Sequence, residues 1–376
     1  MTHRNVLVTG GAGYIGSHLA DALVTREYRV TVLDNLEPQV HRSGTWPSYV
    51  NPAVTYVRGD VRDRAVLEPL VLAADAVVHF AAAVSVGQSM YQVDRYVDVN
   101  TRGTALLLDI LVNAKHHVRK MVVASSIGVY GEGAYRCPTH GVVAPGIRSE
   151  AQLASRNWEQ RCPACSEHVE PVPTPEGKAL YRDNIYSMTK YHQEEMTLLI
   201  GRTYGIPAVA ARFFNVYGPR QSLSNPYAGV AAIWLSRLLN GRQPVVFEDG
   251  GQLRDFVSIH DVVACLLLML EHSGADYLPV NVGSGERITI LDIATLLARL
   301  LGTSIEPRVT QTGRKFDIRH NMADISRARD TLGFQPQVSL EQGFAELVEW
   351  AKTTPDAAVD FFETALDELN QKGLLV

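Results

Sequence analysis

The stretch Thr9-Gly10-Gly11-Ala12-Gly13-Tyr14-Ile15-Gly16 decides the fold. It follows a short apolar run at 5–9 and precedes an amphipathic segment at 14–26, so it reads as the turn from a buried strand into a helix. Gly10, Gly13 and Gly16 recur every third position. Such a turn needs positive φ and a bare backbone where a pyrophosphate settles on a helix N-terminus. Within the helix, Ile15, Leu19, Ala22 and Leu23 form one stripe that can pack on a sheet. Glycine turns alone are common, but here Asp34 ends the second apolar run. Its carboxylate would accept hydrogen bonds from ribose hydroxyls and repel a 2′-phosphate, and no Lys or Arg directly follows it. NAD is therefore expected over NADP.

Working outward, apolar runs at 29–33, 54–57, 75–80 and 120–124 alternate with helical patterns. That rhythm predicts an α/β fold around a doubly wound parallel sheet. Helical patterns at 91–113 and 186–204 carry apolar residues on more than one face, which suits a dimer interface or plain sheet packing equally. Gly59-Asp60-Val61 suits an adenine edge, and His79-Phe80-Ala81-Ala82 offers small residues over which a cofactor could lie. The expected organisation is a dinucleotide-binding domain at 1–218 with an insertion at 131–180. A smaller α/β domain mainly at 219–352 follows, from which 259–285 returns to the sheet, and then a helical tail at 353–376.

The chain has 376 residues, 46% of them hydrophobic, and 35 basic against 40 acidic groups for a net charge of −5. This composition provides a core and argues against disorder, nucleic acid or an anionic membrane as partner. The opening MTHRNVLVTGG enters a strand at once, without a charged and then apolar leader. The longest apolar runs, such as 264–270, fall short of the roughly 20 residues a membrane span needs. A cytoplasmic protein is expected.

Tyr186-Ser-Met-Thr-Lys190 sets a phenol and an ammonium one helical turn apart on one face. A phenol with a free pKa of ~10 becomes a base near neutrality only in a positive field, which Lys190 and an oxidised nicotinamide would supply. YxxxK recurs by chance, but Ser125-Ser126-Ile-Gly-Val-Tyr-Gly131 closes the fifth strand and brings the Ser126 hydroxyl toward the same cleft. Together Ser126, Tyr186 and Lys190 form a hydride-transfer constellation.

Sixty positions separate Ser126 from Tyr186, and they hold Cys137-Pro-Thr-His140 and Cys162-Pro-Ala-Cys165. Two C-P-x-C/H knuckles, each giving two ligands, complete the closed tetrahedron of a structural zinc site, with His168 as a possible stand-in for His140. Four cysteines are too few for a disulfide framework in a chain this long, and Cys265 reads as a small buried apolar residue.

TGGAGYIG, GDVRD, HFAAAV, NTRGT, ASSIGVYG, YSMTK, RFFNVYGPR, LRDFV and NVGSG occur in the order shown by NAD-dependent sugar-nucleotide epimerases and dehydratases. The chain resembles these extended short-chain dehydrogenases/reductases from residue 5 to about 350. The resemblance implies a Rossmann domain, a smaller sugar-nucleotide domain, a nucleotide-diphosphate-sugar substrate and usually a homodimer. It places the cofactor on Gly10, Gly13, Tyr14, Ile15, Gly16, Asp34, Asn35, Asp60, Val61, Phe80, Ala81, Ala82, Asn100, Tyr186 and Lys190. For the substrate it implies Ser85, Ser126, Asn215, Arg254, Arg314 and Asp317, with arginine forks suited to phosphate oxygens.

Dehydratases of the family resemble SSTDEVYG at the fifth strand, and the decarboxylating relatives also carry Glu before VYG. Here Ile127-Gly128 stands there, which leaves 4-epimerase chemistry by oxidation and re-reduction. UDP-galactose 4-epimerases resemble HFAGLK, whereas this chain has Val84 in place of that Lys. An apolar wall suits a 6-deoxyhexose, and the pattern looks like bacterial dTDP-L-rhamnose 4-epimerases. Phe316 replaces a usual Gly before Asp317, implying a shifted loop, and Ser258 replaces a usual His or Tyr. A 2-epimerase, a UDP-hexose 4-epimerase, a 4-keto reductase and a non-enzymatic NAD sensor remain alternatives.

Overall fold

In the computed structural model, which describes residues 5–227, 229–354 and 358–376, the run Val6-Leu7-Val8 lies buried on both faces of a central sheet. The first four residues, Ala228 of the SNPYAGVA stretch and 355–357 of the tail lie outside the described residues. The sheet contains β1 (Asn5–Thr9), β2 (Arg29–Asp34), β3 (Thr55–Arg58), β4 (Ala76–His79), β5 (Lys120–Ser126) and the strands Ala208–Phe213 and Pro279–Val282. These seven strands are all parallel. From one edge they run Pro279–Val282, Ala208–Phe213, β5, β4, β1, β2 and β3.

Side chains alternate across the sheet, so each strand feeds two cores. Val6, Val8, Val32, Val78 and Val122 meet α1 (Tyr14–Thr25) and the helix Ile259–Glu271 through Leu19, Leu23, Val262 and Leu266. On the opposite face, Leu7, Leu33, Val77 and Val123 meet helices that bring Leu67, Leu107, Leu111 and Leu198. The winding reverses between β1 and β4, opening a crevice at their carboxyl ends, where ligands bind in such sheets.

The helical pattern expected over 91–113 begins at Val93 and contains a π-helical turn at Val97–Arg102. Buried Asn100 sits in that wider turn; it donates to Ala83 O and Thr189 Oγ1 and accepts from Ala83 N. Such bulges often mark functional sites, and this one ties the end of β4 to the helix Ile185–Tyr204.

The insertion folds into three short antiparallel strands, Ala134–Cys137, Gly141–Val143 and Glu170–Val172. Its apolar cluster is only Tyr135, Cys137, Cys162 and Val169 with Val143 against them, too small to hold a fold by itself. The smaller lobe has its own core, in which Phe344 of the helix Leu340–Lys352 stacks on Tyr217 with ring centroids 3.9 Å apart. Cys265 is fully buried, as a small apolar residue would be. Among the described residues no helix is long and apolar enough to cross a membrane.

Phe344 is fully buried within this lobe's core, so Phe344→Ala should lower the lobe's unfolding free energy by about 3–5 kcal/mol. Urea denaturation followed by tryptophan fluorescence tests this, since Trp234 lies in the same core. A change below ~1 kcal/mol would show that the stack does not organise the lobe.

Candidate active site

The glycine turn brings backbone against backbone. Gly10 has φ +69°, and a Cβ there would stand 2.7 Å from Ala81 N; one on Gly16 would stand 2.5 Å from Gly11 Cα. Gly13 differs. Its Cβ would meet only Gly10 O, at 3.4 Å, so what its bareness leaves open is the cavity side, where α1 begins. Asp34 secures the turn by accepting from Ala12 N and Leu36 N, both at 2.9 Å. A cavity of about 400 Å³ follows. Gly10, Gly13, Tyr14, Ile15, Gly16, Asp34, Asn35, Asp60, Val61, Phe80, Ala81 and Ala82 all line it. A bare helix N-terminus beside an acid and a small-residue wall fits a dinucleotide.

The same cavity is also lined by Ser126, Tyr186, Lys190 and Asn215. Ser126 ends β5, and Tyr186 and Lys190 come from the helix Ile185–Tyr204. Asn184 starts that helix by accepting from Ser187 N at 2.8 Å, and Gly205 at φ 70° ends it. Burial pushes the Tyr186 phenol up, while its hydrogen bond with Ser126 pulls the other way. Burial also pulls Lys190 down to about 7, against the attraction of Glu194. Asn215 Oδ1 is buried without a hydrogen-bond partner.

Behind these groups runs a polar chain that sequence reasoning missed. Lys190 Nζ donates to Gln193 Oε1 at 2.6 Å, and Gln193 Nε2 donates to Thr104 Oγ1 at 2.8 Å. His79 lies between Thr9 and Thr104, and burial lowers it to about 3, so it stays neutral. Gln193 aims Lys190; the signal was its position one turn along the same helix face.

Other expected site residues lie apart from this cavity. Ser85 caps a short helix by accepting from Gln88 N, and Asn100 holds the wall from behind. Arg254, Arg314 and Asp317 form a second cluster in the smaller lobe. Arg314 grips Asp317 Oδ2 at 2.7 Å and lies 4.7 Å above the Phe247 ring, while Arg254 stands 3.8 Å from Asp317 Oδ1. Arg254 also donates to the Leu253, Ile318 and Arg319 carbonyls. Phe316 adopts φ 64°, the left-handed conformation in which glycine is easiest, so the turn is made without glycine. Ser258 caps the helix Ile259–Glu271 through His260 N.

In the insertion, both knuckles are hairpin turns. Cys137 and His140 flank the turn between two paired strands, and Cys162 and Cys165 lie within the Arg161–His168 bridge. The four ligand atoms lie within 4.8 Å of one another. Cys137 Sγ is 3.6 Å from His140 Nδ1 and 3.7 Å from Cys165 Sγ, and Cys162 Sγ is 3.6 Å from His140 Nδ1. None of the four cysteines is in a disulfide. His168 is not in the cluster; its place is opposite Arg161. Glu167, which the sequence did not single out, comes within 3.5 Å of Cys165 Sγ.

Known proteins share this architecture. The family model for the NAD dependent epimerase/dehydratase family matches residues 6–146 and 164–283, passing over part of the insertion. A dTDP-L-rhamnose 4-epimerase of Burkholderia thailandensis is 35% identical over 354 residues, 92% of this chain and 94% of that protein. Among solved structures, the UDP-glucose 4-epimerase of Thermotoga maritima with UDP-glucose is similar at TM-score 0.76 and 31% identity, over 93% of this chain and 99% of that one. The Thermus thermophilus UDP-glucose 4-epimerase in complex with NAD is similar at 0.70 and 28%, over 93% and 99%. With more than half its length matched, and in the regions that form the crevice, the chain belongs to the NAD-dependent epimerase/dehydratase family.

Proposed function

We propose that this chain is a nucleotide-diphosphate-sugar 4-epimerase that oxidises its substrate at C4 and reduces it again from the other face. One observation carries the choice of reaction. A Cβ on Gly128 would stand 2.9 Å from Ser187 Oγ, 3.4 Å from Ser126 Oγ and 3.8 Å from the Tyr186 ring. A side chain here would enter the catalytic space, and this chain leaves the position bare. Tyr186 is thus the proton acceptor beside Ser126, and no acid stands at this position to drive elimination or decarboxylation.

The glycine turn and Asp34 would hold NAD, which would supply hydride acceptance from the sugar carbon and hydride return to it. Tyr186 accepts the proton of the 4-hydroxyl, with Ser126 hydrogen-bonded to the same oxygen, and later returns it. Lys190, aimed by Gln193, favours the phenolate. The 4-keto sugar must turn before reduction, so the protein has to grip the nucleotide more firmly than the sugar. Arg254, Arg314 and Asp317, set apart from the sugar end, suit that grip, and the bare Asn215 Oδ1 suits a substrate donor.

Val84, half exposed on the cavity wall, supports a 6-deoxyhexose, and the Burkholderia relative supports dTDP-L-rhamnose within that class. The sheet domain with its insertion would hold the cofactor, and the lobe at 219–352 the nucleotide. Exposed Val93, Val97 and Leu199 on neighbouring helices support a homodimer.

The knuckle cluster suits structural zinc. Zn–S bonds of about 2.3 Å and Zn–N bonds of about 2.0 Å set tetrahedral edges of about 3.8 and 3.5 Å, close to the separations here. With four protein ligands no coordination position stays open, so the metal would hold the insertion together rather than act on substrate.

Tyr186→Phe should lower turnover about 10²–10⁴-fold while NAD is still retained. The parent's turnover should fall toward acid pH, because burial keeps the phenol protonated until the field of the loaded site acts. A panel of dTDP-, UDP- and GDP-hexoses with C4 stereochemistry read by NMR tests both, and near-normal turnover of the variant refutes the assigned base. For the metal, purified protein should carry about one equivalent of zinc, and Cys162→Ser should lose it and lower the melting temperature. Sub-stoichiometric metal with freely reactive thiols would dismiss the zinc site.

A further inference from the structure

Beyond the helix Leu340–Lys352, which completes the smaller lobe, described chain resumes at Ala358 and ends at Val376. It does not pack on one lobe only. Its first residues are anchored on the smaller lobe: the Asp360 carboxylate, nearly buried, pairs with Arg237 and Arg242, and Ala358 O accepts from Ser236 Oγ. The helix Phe362–Gln371 then reaches the sheet domain. Leu369 presses on Gly87, where a Cβ would meet it at 2.8 Å, and Arg42 lies 5.1 Å from the Phe361 ring.

Glu368 is the meeting point. Its Oε2 accepts from Tyr91 OH of the sheet domain at 2.7 Å and from Tyr227 OH, which lines the main cavity from the other bank. The last residues cross to the nucleotide-side cluster and pair around Arg314, with Gly313 N to Val376 O at 2.9 Å and Lys315 N to Leu374 O at 3.0 Å. There Leu366 and Leu375 close one wall of a second cavity of about 430 Å³ beside Phe247.

We propose that residues 358–376 are a strap that closes the sugar-nucleotide cleft, with Glu368 as its latch. This rests on the reading of the cleft as an epimerase site. The strap is built to release from one end. Its anchor holds a nearly buried ion pair, whereas only Ala365 is buried in the helix Phe362–Gln371. Polar contacts with little apolar burial open locally at low free-energy cost. An epimerase needs such closure, because its keto sugar must turn within the site without leaving and a strap across both banks blocks escape.

The test compares the full chain with Glu368→Ala and with a chain ending at Glu363, which keeps the Asp360 anchor. During turnover both variants should release 4-keto sugar at least about tenfold more often than the parent, and leave a matching fraction of cofactor reduced. Single-turnover oxidation should stay within about twofold. Independently, hydrogen exchange of 362–376 in the full chain with NAD should slow when dTDP or UDP is added. Keto sugar retained by a folded variant, or exchange unchanged by nucleotide, overturns the strap. If no sugar nucleotide turns over in the full chain, the epimerase reading fails while the exchange experiment still decides whether nucleotide closes the strap.

Discussion

Bare backbone contact at the ends of β1 and β4 is the constraint on which the cleft depends. Gly10 stands against Phe80 and Ala81 with no room for a side chain, and its N–H is bonded to Leu33 O of β2. This single packing holds three strand ends in register and leaves the first turn of α1 open to the cavity. Asp34 completes it from the next strand by bonding Ala12 N, so the acid both braces the turn and faces the ligand space. A methyl group at Gly10 would force these strand ends apart, and one at Gly16 would push α1 off the turn, before any ligand arrived.

Polar burial organises the second lobe and the insertion. Glu132 accepts from Arg319 N, His320 N, the Tyr135 hydroxyl and Gln160 Nε2. Arg148 forks onto fully buried Glu248 and donates to Asp317 O. Buried charges left without a partner are strongly destabilising, so such a network tolerates few geometries. The insertion is thereby tied to the loop bearing Arg314 and Asp317. A knuckle whose own core is five side chains thus borders the groups proposed to hold the nucleotide.

The same burial sets the chemistry of the main cavity. Burial pulls the lysine down to about 7 and pushes the phenol up, so the unloaded site disfavours charge on both groups. In the proposed reaction, the positive field that would make Tyr186 a base comes largely from what binds beside it. Gln193, Thr104 and neutral His79 then serve to hold Lys190 in one place, since each offers a dipole and none a competing charge.

Much of the fold was legible in the sequence because the rules involved are local. Strand runs, the glycine spacing, Asp34 at a strand end and Tyr186 one turn from Lys190 are set by the two periodicities of the backbone, and the cavity contains them. The clustering of the knuckle side chains was legible because each pair sits within one tight turn. What only the tertiary structure decided are the relations between distant segments. These include the π-helical turn at Asn100, the buried Glu132 and Arg148 network, the left-handed Phe316, the exclusion of His168, and a tail joined to both banks through Glu368. Each depends on a partner tens to hundreds of positions away, or on a backbone strain imposed from outside. Periodicity reports which face a residue shows, but not what will be packed against it.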